Sequence, residues 1–430
     1  MDNINILVFP CGSEIGLELH RSLKDIRFIN LFGGSSVEDH GIFVYKNYIG
    51  DIPFITADNF IDRLNEEIDR HNIDFIFPAL DSVILALSEN REKLHAGLLT
   101  CSDDAVRLCR SKKKTYERLS DCDFLPEIYS SAEEISSYPV IIKPSESQGS
   151  QGFMILNSKE ELTYELSVRT GEQVICEYLP GEEYTIDCFT DRHGKLRYAS
   201  CRNRNRTRTG ISVNSSITKP DSRVKEIAEI INSKMKMQGV WFFQLKKDKN
   251  GDYRLLECAT RVAGTMCVER GAGVNLPLLT VFDALGYDVD VKEQISGVTV
   301  DRAFYNTFTL DICYDEVYID FDDTLIIKNK VNFSVLRFIY QCIDKNIKVT
   351  LLTRHETDVR QDMKVYRIFP ELFDEIICIP RSEKKIDHIS PSKNTLFIDD
   401  SFAERKAMSD KFGIISLGVD SVEALLDNKQ

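Results

Sequence analysis

Three short apolar segments in the last quarter of the 430-residue chain each run into polar residues. The segment at 316–320 leads into Asp322, the segment at 348–353 ends on Thr353, and the segment at 395–400 ends on Asp399 and Asp400. As parallel strands, these segments would bring the polar side chains to one edge of a sheet, where ligands of such sheets bind. The spacing therefore predicts a site for phosphate chemistry.

Composition limits the class of protein. A chain of this length forms two or three domains, and 43% hydrophobic with 28% charged residues is typical of a soluble globular protein. The net charge of −14 argues against nucleic acid or an anionic membrane as a partner. The cysteines form no CxxC pair, and no stretch reaches the roughly 18 apolar residues of a membrane span. We therefore expect a cytoplasmic protein with reduced thiols.

The pattern of apolar segments changes twice along the chain. Up to about residue 110, strands such as Ile4–Phe9 alternate with amphipathic helices such as Phe60–His71, which predicts a parallel sheet. Between 111 and 312, longer segments with glycine-bearing turns predict antiparallel sheets, and the segments 174–178, 184–190 and 196–202 suggest one meander. From 313 to 430 the strand–helix–strand rhythm returns. We predict three domains, of α/β and α+β class, with these boundaries.

The central region contains an ordered series of polar residues. Lys143 lies on a buried strand, and the loop after it is rich in small residues that let backbone amides approach phosphate oxygens. The small residues of this loop are Ser147, Gly149, Ser150 and Gly152. Further along the chain come Glu177, Tyr178, Leu179, Glu183, Gln244, Glu257 and Arg261. In this order the set resembles the ATP-grasp superfamily, over roughly residues 1–312 including the Rossmann-like domain that usually precedes it.

The resemblance implies an ATP-dependent ligase with a divalent cation, Mg²⁺ or Mn²⁺, as cofactor. By the family pattern, Lys112 and Lys143 would hold the ATP phosphates, the backbone at 177–179 the adenine, and Glu183 the ribose. Gln244 and Glu257 would bind the cation, and Arg261 would hold the transferring phosphoryl group. The family usually has asparagine where this chain has Ala259. One ion would therefore be held more loosely, or another residue would complete its shell.

Such ligases transfer the γ-phosphate of ATP to a carboxylate, and an amine-like acceptor then attacks the acyl phosphate. A small-molecule carboxylate and an amine-like acceptor are the expected substrates. The run from Arg202 to Arg208 would, as one strand, place its four arginines on one face. Arg206 and Arg208 are the candidates to hold the anionic substrate, and the alternatives are a solvated face or a weak RNA contact.

The carboxy-terminal carboxylates suit an aspartyl-phosphate mechanism, which needs a nucleophile, a second acid and a cation. Asp320 and Asp322 supply the two acids, Thr353 can bind phosphoryl oxygens, and either Lys384 or Lys385 can neutralise them. The arrangement resembles the haloacid dehalogenase superfamily, which implies a three-layer α/β/α domain with a parallel sheet. By that pattern Asp320 is the nucleophile, Asp322 the acid/base and Lys385 the preferred lysine. The magnesium ligands would be Asp320, Asp322, Asp399 and Asp400.

The spacing of these motifs also limits the substrate. The interval from Thr324 to Thr353 has room for one helix, Phe333–Asp344, and one strand, and the interval to Lys385 is equally short. Neither interval can hold a cap domain, so an open site acting on a phosphorylated metabolite is expected.

We therefore expect a bifunctional ligase and phosphatase. The alternatives are a kinase or phosphotransferase whose product the second half reverses, and a nucleotide-sensing, non-catalytic grasp module that regulates the phosphatase. The sequence does not identify the substrates, and a homodimer is the default assembly only because dimers are the commonest.

Overall fold

The computed structural model describes residues 3–147, 151–208, 210–292, 295, 297–427 and 429. The chain forms two compact units, one that extends to Phe304 and one from Tyr305 to Lys429. This division lies shortly before the boundary expected at 312/313, and the first two predicted domains share one unit. None of the helices in the described part of the chain has the length and apolar character that crossing a bilayer requires.

The first unit begins with a five-stranded parallel sheet connected by helices. Its strands are Ile4–Phe9 (β1), Ile29–Gly34 (β2), Asn47–Ile49 (β3), Phe75–Pro78 (β4) and Gly97–Leu98 (β5), and its helices are Glu14–Leu23 (α1), Gly41–Val44 (α2), Phe60–His71 (α3), Asp81–Glu89 (α4) and Asp103–Arg110 (α5). The strand order is β3-β2-β1-β4-β5. The central strand β1 is apolar because helices cover both faces of such a sheet. The predicted strand and helix at β1 and α3 are confirmed.

A small antiparallel sheet follows. Its elements are the helix Lys112–Arg118 (α6), the strands Ile128–Tyr129 (β6), Val140–Pro144 (β7) and Met154–Leu156 (β8), the helix Lys159–Val168 (α7) and the strand Gln173–Glu177 (β9). The order is β6-β9-β7-β8. The predicted meander is therefore wrong in its first strand, because both edges of β9 are taken by β6 and β7.

The largest sheet of the first unit has seven strands. They are Glu183–Thr190 (β10), Leu196–Asn203 (β11), Arg206–Arg208 (β12), Ile211–Thr218 (β13), Gly239–Lys247 (β14), Tyr253–Ala259 (β15) and Thr299–Asp301 (β16), with helices Ser222–Met235 (α8), Cys267–Gly271 (α9) and Leu276–Ala284 (α10). The order is β12-β13-β11-β10-β14-β15, and β16 pairs with β13. The prediction that the arginine run forms one strand is wrong, because β11 ends at Asn203 and β12 pairs separately with β13.

A buried charge cluster lies against this sheet. Arg202 donates from Nε to Asp187 Oδ2 at 2.6 Å and from Nη1 to Thr265 Oγ1 at 2.6 Å. Beside it, Glu269 of α9 is fully buried and accepts a hydrogen bond from the Tyr198 hydroxyl at 2.6 Å. Burial, with Asp187 acting in the same direction, raises the pKa of Glu269 to about 8. The folded protein therefore holds a proton on this carboxyl at neutral pH.

We expect Glu269→Gln to reduce the loss of stability as the pH rises from 4.5 to 8. The unfolded chain releases this proton near pH 4.5 and the folded protein near pH 8, so the folded state binds more protons in between. The contribution of Glu269 to the free energy of unfolding is present below 4.5 and is lost as the pH rises to 8. Glutamine keeps the acceptor for Tyr198 without titrating. In calorimetry, Tm of the variant minus Tm of the wild type should increase across this window, and a constant difference would contradict the assignment.

The second unit has a five-stranded parallel sheet and one small hairpin. Its strands are Glu316–Ile319 (β17), Ile326–Ile327 (β18), Lys330–Val331 (β19), Lys348–Arg354 (β20), Glu375–Ile379 (β21), Thr395–Ile398 (β22) and Ile415–Leu417 (β23), and its helices are Phe333–Asp344 (α11), Val359–Val365 (α12), Phe402–Phe412 (α13) and Val422–Leu425 (α14). The parallel order is β21-β20-β17-β22-β23.

Helices cover both faces of this sheet. Side chains at Val317 and Ile319 pack with α11 and α12, whereas Tyr318, which points the other way, packs with α13. The sheet is thus the middle of three layers. The predicted helix α11 is confirmed, and the hairpin β18–β19 is an addition that the sequence did not indicate.

Candidate functional sites

Charged side chains from several elements of the first unit line one cleft. They are Asp81, Arg110, Lys112, Glu257 and Arg261, and the uncharged Ser147 lines the same cleft. The Lys112 ammonium donates to Ser147 Oγ at 3.0 Å, and Arg110 donates to the carbonyl of Ser147 at 3.3 Å. Burial lowers the pKa of Lys112, Glu257 opposes the shift, and Lys143 and Arg110 add to it. The structure thus brings four predicted residues, Lys112, Ser147, Glu257 and Arg261, to one place.

Lys143 lies beside this cleft. It is buried on β7, and its ammonium donates to the Tyr116 hydroxyl at 3.0 Å and to the carbonyl of Leu256 at 3.4 Å. Burial alone would lower the pKa of Lys143, but Tyr116, Cys176 and Glu257 outweigh it and raise the pKa, so the side chain stays charged. Tyr116, which orients this lysine, was not among the residues predicted from the sequence.

The loop after β7 is described only at its ends. Gly149 and Ser150, which we predicted as phosphate-binding residues, lie outside the described residues. Gly152 has a φ of +72°, and a Cβ atom there would come within 2.7 Å of Pro144 Cγ. This position therefore requires glycine for both conformation and space.

The segment predicted to hold the adenine and ribose connects β9 to β10. Leu179 is buried, Tyr178 is half-buried, and the Glu177 carboxylate accepts a hydrogen bond from the backbone nitrogen of Glu127 at 3.0 Å. The Glu183 carboxylate lies 3.0 Å from Nε of Arg204, whose side chain is only 8% exposed. Arg204 thus belongs to the sheet face that carries the predicted nucleotide residues.

The structure places Arg206 and Arg208 differently from Arg204. Arg206 forms an exposed ion pair with Asp301 at 2.6 Å, and the Arg208 guanidinium lies 5.5 Å from the centre of the Phe304 ring. Both arginines are exposed on the short strand β12. Arg204 is therefore the member of the run that lies beside another predicted nucleotide residue, and our choice of the other two is not supported by their positions.

Gln244 and Glu257 face each other directly across β14 and β15. Thr185 on β10 is the next residue in the same cross-strand row, and its buried hydroxyl has no hydrogen-bond partner within the described residues. Carboxylate, amide and hydroxyl oxygens are ligands that Mg²⁺ accepts. The row therefore suits a hard divalent cation, whereas Ala259, two residues after Glu257, offers no side-chain ligand.

Asp81 is a further charged residue of the cleft. It is the first residue of α4, and its two oxygens accept hydrogen bonds from Nε and Nη2 of Arg261 at 2.6 and 2.9 Å. Burial raises the pKa of Asp81, but Arg261 outweighs it and lowers the pKa. Asp81 follows the tip of the parallel strand β4, so the strand-tip rule that found Asp399 could also have found it.

In the second unit, Lys385 links two carboxylates at the strand tips. Its ammonium lies 2.6 Å from Asp320 Oδ1 and 2.7 Å from Asp399 Oδ2, and all three residues are buried. Burial raises the pKa of Asp320 to about 6, with Lys385 opposing this shift and Asp399 adding to it. Lys384 is exposed, so Lys385 occupies the predicted position.

The same strand tips form an acidic cluster. Carboxylate oxygens of Asp320, Asp399 and Asp400 lie within 4.8 Å of one another, a spacing that one cation could bridge. Thr353 lies at the tip of the neighbouring strand β20, fully buried, and its hydroxyl has no hydrogen-bond partner in the described part of the chain. Such a hydroxyl is free to bind a phosphoryl oxygen.

The Asp322 carboxylate is not part of this acidic cluster. Its Oδ2 contacts Nδ1 of His355 at 2.7 Å, and Nε2 of His355 contacts Asp362 at 2.6 Å. The Asp322 side chain is 49% exposed, as a group that exchanges protons with a leaving oxygen requires. Its carboxylate is outside the group of three that we predicted to share a metal ion with it, and the acid/base role stays a prediction. His355 is a neighbour that the sequence did not reveal.

Comparisons with known proteins find similarity to ATP-grasp proteins. Residues 169–303 match the family model "ATP-grasp in the biosynthetic pathway with Ter operon". A stretch of 61 residues is 39% identical to a D-alanine–D-alanine ligase of Fusobacterium nucleatum, and it spans 14% of this chain and 21% of that ligase.

Two solved structures show the same fold over a longer part of the chain. The N5-carboxyaminoimidazole synthetase of Staphylococcus aureus, in complex with ADP, is similar with a TM-score of 0.57 at 14% identity, over 68% of this chain and 81% of that one. The L-amino acid ligase of Bacillus licheniformis is similar with a TM-score of 0.54 at 17% identity, over 66% of this chain and 75% of that one. Together with the matched family model, these likenesses show that the chain contains an ATP-grasp fold.

Proposed function

We propose that the first unit is an ATP-dependent ligase that joins a small-molecule carboxylate to an amine-like acceptor. The observation that carries this proposal is the convergence of Lys112, Ser147 and Glu257 in one cleft, with the charged Lys143 beside it. Two anionic reactants can meet there because lysines and a divalent cation offset their repulsion. The ADP complex of a protein with the same fold supports the reaction type, as do the D-alanine–D-alanine ligase and the L-amino acid ligase to which this chain is similar.

In this proposal each residue has a separate task. Lys112 and Lys143 bind the phosphates of ATP, and Gln244 and Glu257 bind Mg²⁺, which shields the phosphate charge. The γ-phosphoryl group passes to a carboxylate oxygen of the substrate, forming an acyl phosphate and ADP, and Arg261 stabilises the negative charge on this group. The acceptor nitrogen then attacks the acyl carbon, a C–N bond forms, and phosphate leaves. The segment 177–179 and Glu183 hold adenine and ribose.

We propose further that the second unit is a phosphatase. Asp320 attacks phosphorus and forms an aspartyl-phosphate, while Asp322 protonates the departing oxygen of the metabolite. Lys385 and Thr353 bind the phosphoryl oxygens, and Asp320, Asp399 and Asp400 provide the oxygens for Mg²⁺. Water, which gives a proton to Asp322, then attacks phosphorus; the bond to Asp320 breaks, inorganic phosphate leaves, and the Asp320 carboxylate is restored. The contacts of Lys385 with both Asp320 and Asp399 carry this proposal.

Mass spectrometry of the products tests the ligase proposal. The Asp320→Asn variant is the protein to use, because its inactive second unit cannot remove phosphate from a product. With ATP, Mg²⁺, and pools of metabolic carboxylates and amines, we expect ADP, free phosphate and a condensation product that has lost one water.

Two other outcomes would replace this proposal. ADP formed together with a phosphorylated metabolite, and without free phosphate, would identify a kinase. ATP that binds without being consumed, and that changes hydrolysis of a phosphate ester by the wild-type protein, would identify a nucleotide sensor; Ala259 is the residue that favours this alternative.

A further inference from the structure

The cleft of the first unit contains few carboxylates that are free to bind a cation. Asp81 is held by Arg261, and the Glu183 carboxylate is 3.0 Å from Arg204. Glu257 is the remaining acid of this group, and its carboxylate makes no hydrogen bond or ion pair within the described residues. Gln244, its cross-strand partner, is likewise without a side-chain hydrogen bond among these residues.

The oxygen ligands of this face that have no basic partner lie in one row of the sheet, because Asp187 and Glu183, in the rows on either side, are paired with Arg202 and Arg204. On the face that Gln244 and Glu257 share, the adjacent pair is Phe242 and Ala259, which offers no oxygen. The Phe242 ring is covered by the Arg261 guanidinium, 5.2 Å from its centre. On the other side of the row, past a register shift, the pair is Lys246 and Arg254, which offers no oxygen. The sheet therefore has side-chain ligands for one ion position and not for two.

Basic side chains supply positive charge around this row. Lys112 and Lys143 are buried beside Glu257, and Arg204, whose side chain is 8% exposed, lies beside Glu183. One divalent cation with Lys112, Lys143, Arg204 and Arg110, less the charges of Glu257 and Glu183, gives roughly four positive charges, which matches a bound triphosphate; Asp81 and Arg261 cancel each other. A second divalent ion would leave the cleft with an excess of positive charge.

We infer that this nucleotide site holds one divalent cation, on Gln244 and Glu257, and that Lys112, Lys143 and Arg204 take the place of a second ion. The inference rests on the proposed binding of ATP to the first unit. It assigns a role to Arg204 and gives the departure at Ala259 a physical consequence, a site with a smaller requirement for divalent metal.

Counting bound Mn²⁺ tests this inference without any measurement of turnover. Equilibrium dialysis with adenylyl imidodiphosphate, a non-hydrolysable ATP analogue, gives the nucleotide bound, and electron paramagnetic resonance gives the Mn²⁺ bound. The increase in Mn²⁺ on adding nucleotide excludes ions that the second unit already holds. We expect about one additional Mn²⁺ per nucleotide, without the spectral coupling of a close Mn²⁺ pair.

The double variant Gln244→Glu/Ala259→Asn provides a second measurement. It adds one negative charge to the row and one amide ligand to the adjacent pair, so the ratio should rise towards two. Gln361→Glu, an exposed substitution in the second unit, should leave the ratio at one. A ratio of two in the wild-type protein, or of zero, would overturn the inference while ATP binding stands. A ratio that stays at one in the double variant would overturn the assignment to these two positions. If the nucleotide does not bind at all, the proposed ligase function fails as well.

Discussion

The Asp320→Asn variant should lose hydrolysis of para-nitrophenyl phosphate by at least about 10³-fold, because asparagine cannot attack phosphorus. Asp320 is buried at the tip of β17, within 2.6 Å of the Lys385 ammonium. Asparagine has nearly the same volume, so the fold should be kept, although Lys385 then has one carboxylate partner instead of two. Steady-state hydrolysis with Mg²⁺, alongside a circular dichroism spectrum, is the measurement.

Asp323→Asn is the matched control for this variant. Asp323 lies three residues along the same segment, and its φ of +53° is a conformation that asparagine adopts readily. The control should retain most of the activity because its carboxylate is not among the three that approach one another. Equal losses in both variants would mean that negative charge in general, and not the Asp320 nucleophile, supports the hydrolysis. If only Asp320→Asn loses activity, small molecules that co-purify with this variant and not with the wild type would identify the substrate.

The second site was predictable because its logic needs only strand order and spacing. Asp320, Thr353 and Asp399 follow apolar segments too short to be anything but strands, and parallel strands place their carboxyl ends at one edge. The structure puts β20, β17 and β22 side by side, so the three tips meet. The contact between His355 and Asp322 was not predictable, because it depends on the path of two loops that leave the sheet.

The arginine run shows where the same kind of reasoning stops. The alternation of faces holds only while a strand continues, and here the chain leaves β11 after Asn203 without a glycine or proline to mark the break. The Asn205 side chain donates to Asn214 and to Ser216 on β13, which fixes the turn between β11 and β12. Because these are contacts with a strand later in the chain, local sequence did not reveal that Arg204 would face Glu183.

The order of strands in the central sheets was equally beyond local pattern. Apolar alternation predicted a strand at 174–178, which the structure has at Gln173–Glu177, but not its partners. Pairing is decided by which edges remain available once the chain has folded. The partnership of Arg261 with Asp81 is a similar case. It joins residues separated by most of the first unit, and the sequence indicated only that each lies near the end of a strand.

Lys143→Met should lower the rate of ATP consumption by about 10²–10³-fold, because one preorganised charge on the phosphates is lost. The methionine side chain has a similar length and no charge, and the site on β7 is already buried, so packing should be preserved. Tyr116 loses a donor but keeps its own hydrogen bond to the carbonyl of Leu256, at 2.9 Å. Binding of ADP measured by calorimetry should weaken, while hydrolysis of para-nitrophenyl phosphate should not change because the residues that we propose for it lie in the second unit.

Lys113→Met separates this effect from a general loss of positive charge. Lys113 is in the first unit, like Lys143. Its side chain is half exposed, and its ammonium pairs with Glu172 at 2.6 Å. The control should therefore bind ADP and consume ATP like the wild type. If Lys143→Met also behaves like the wild type, the buried lysine is only a structural partner of Tyr116, and the phosphates of ATP must be held elsewhere in the cleft. If both variants lose ATP turnover equally, long-range charge, not a positioned ammonium, attracts the nucleotide, and such an effect should disappear at high salt.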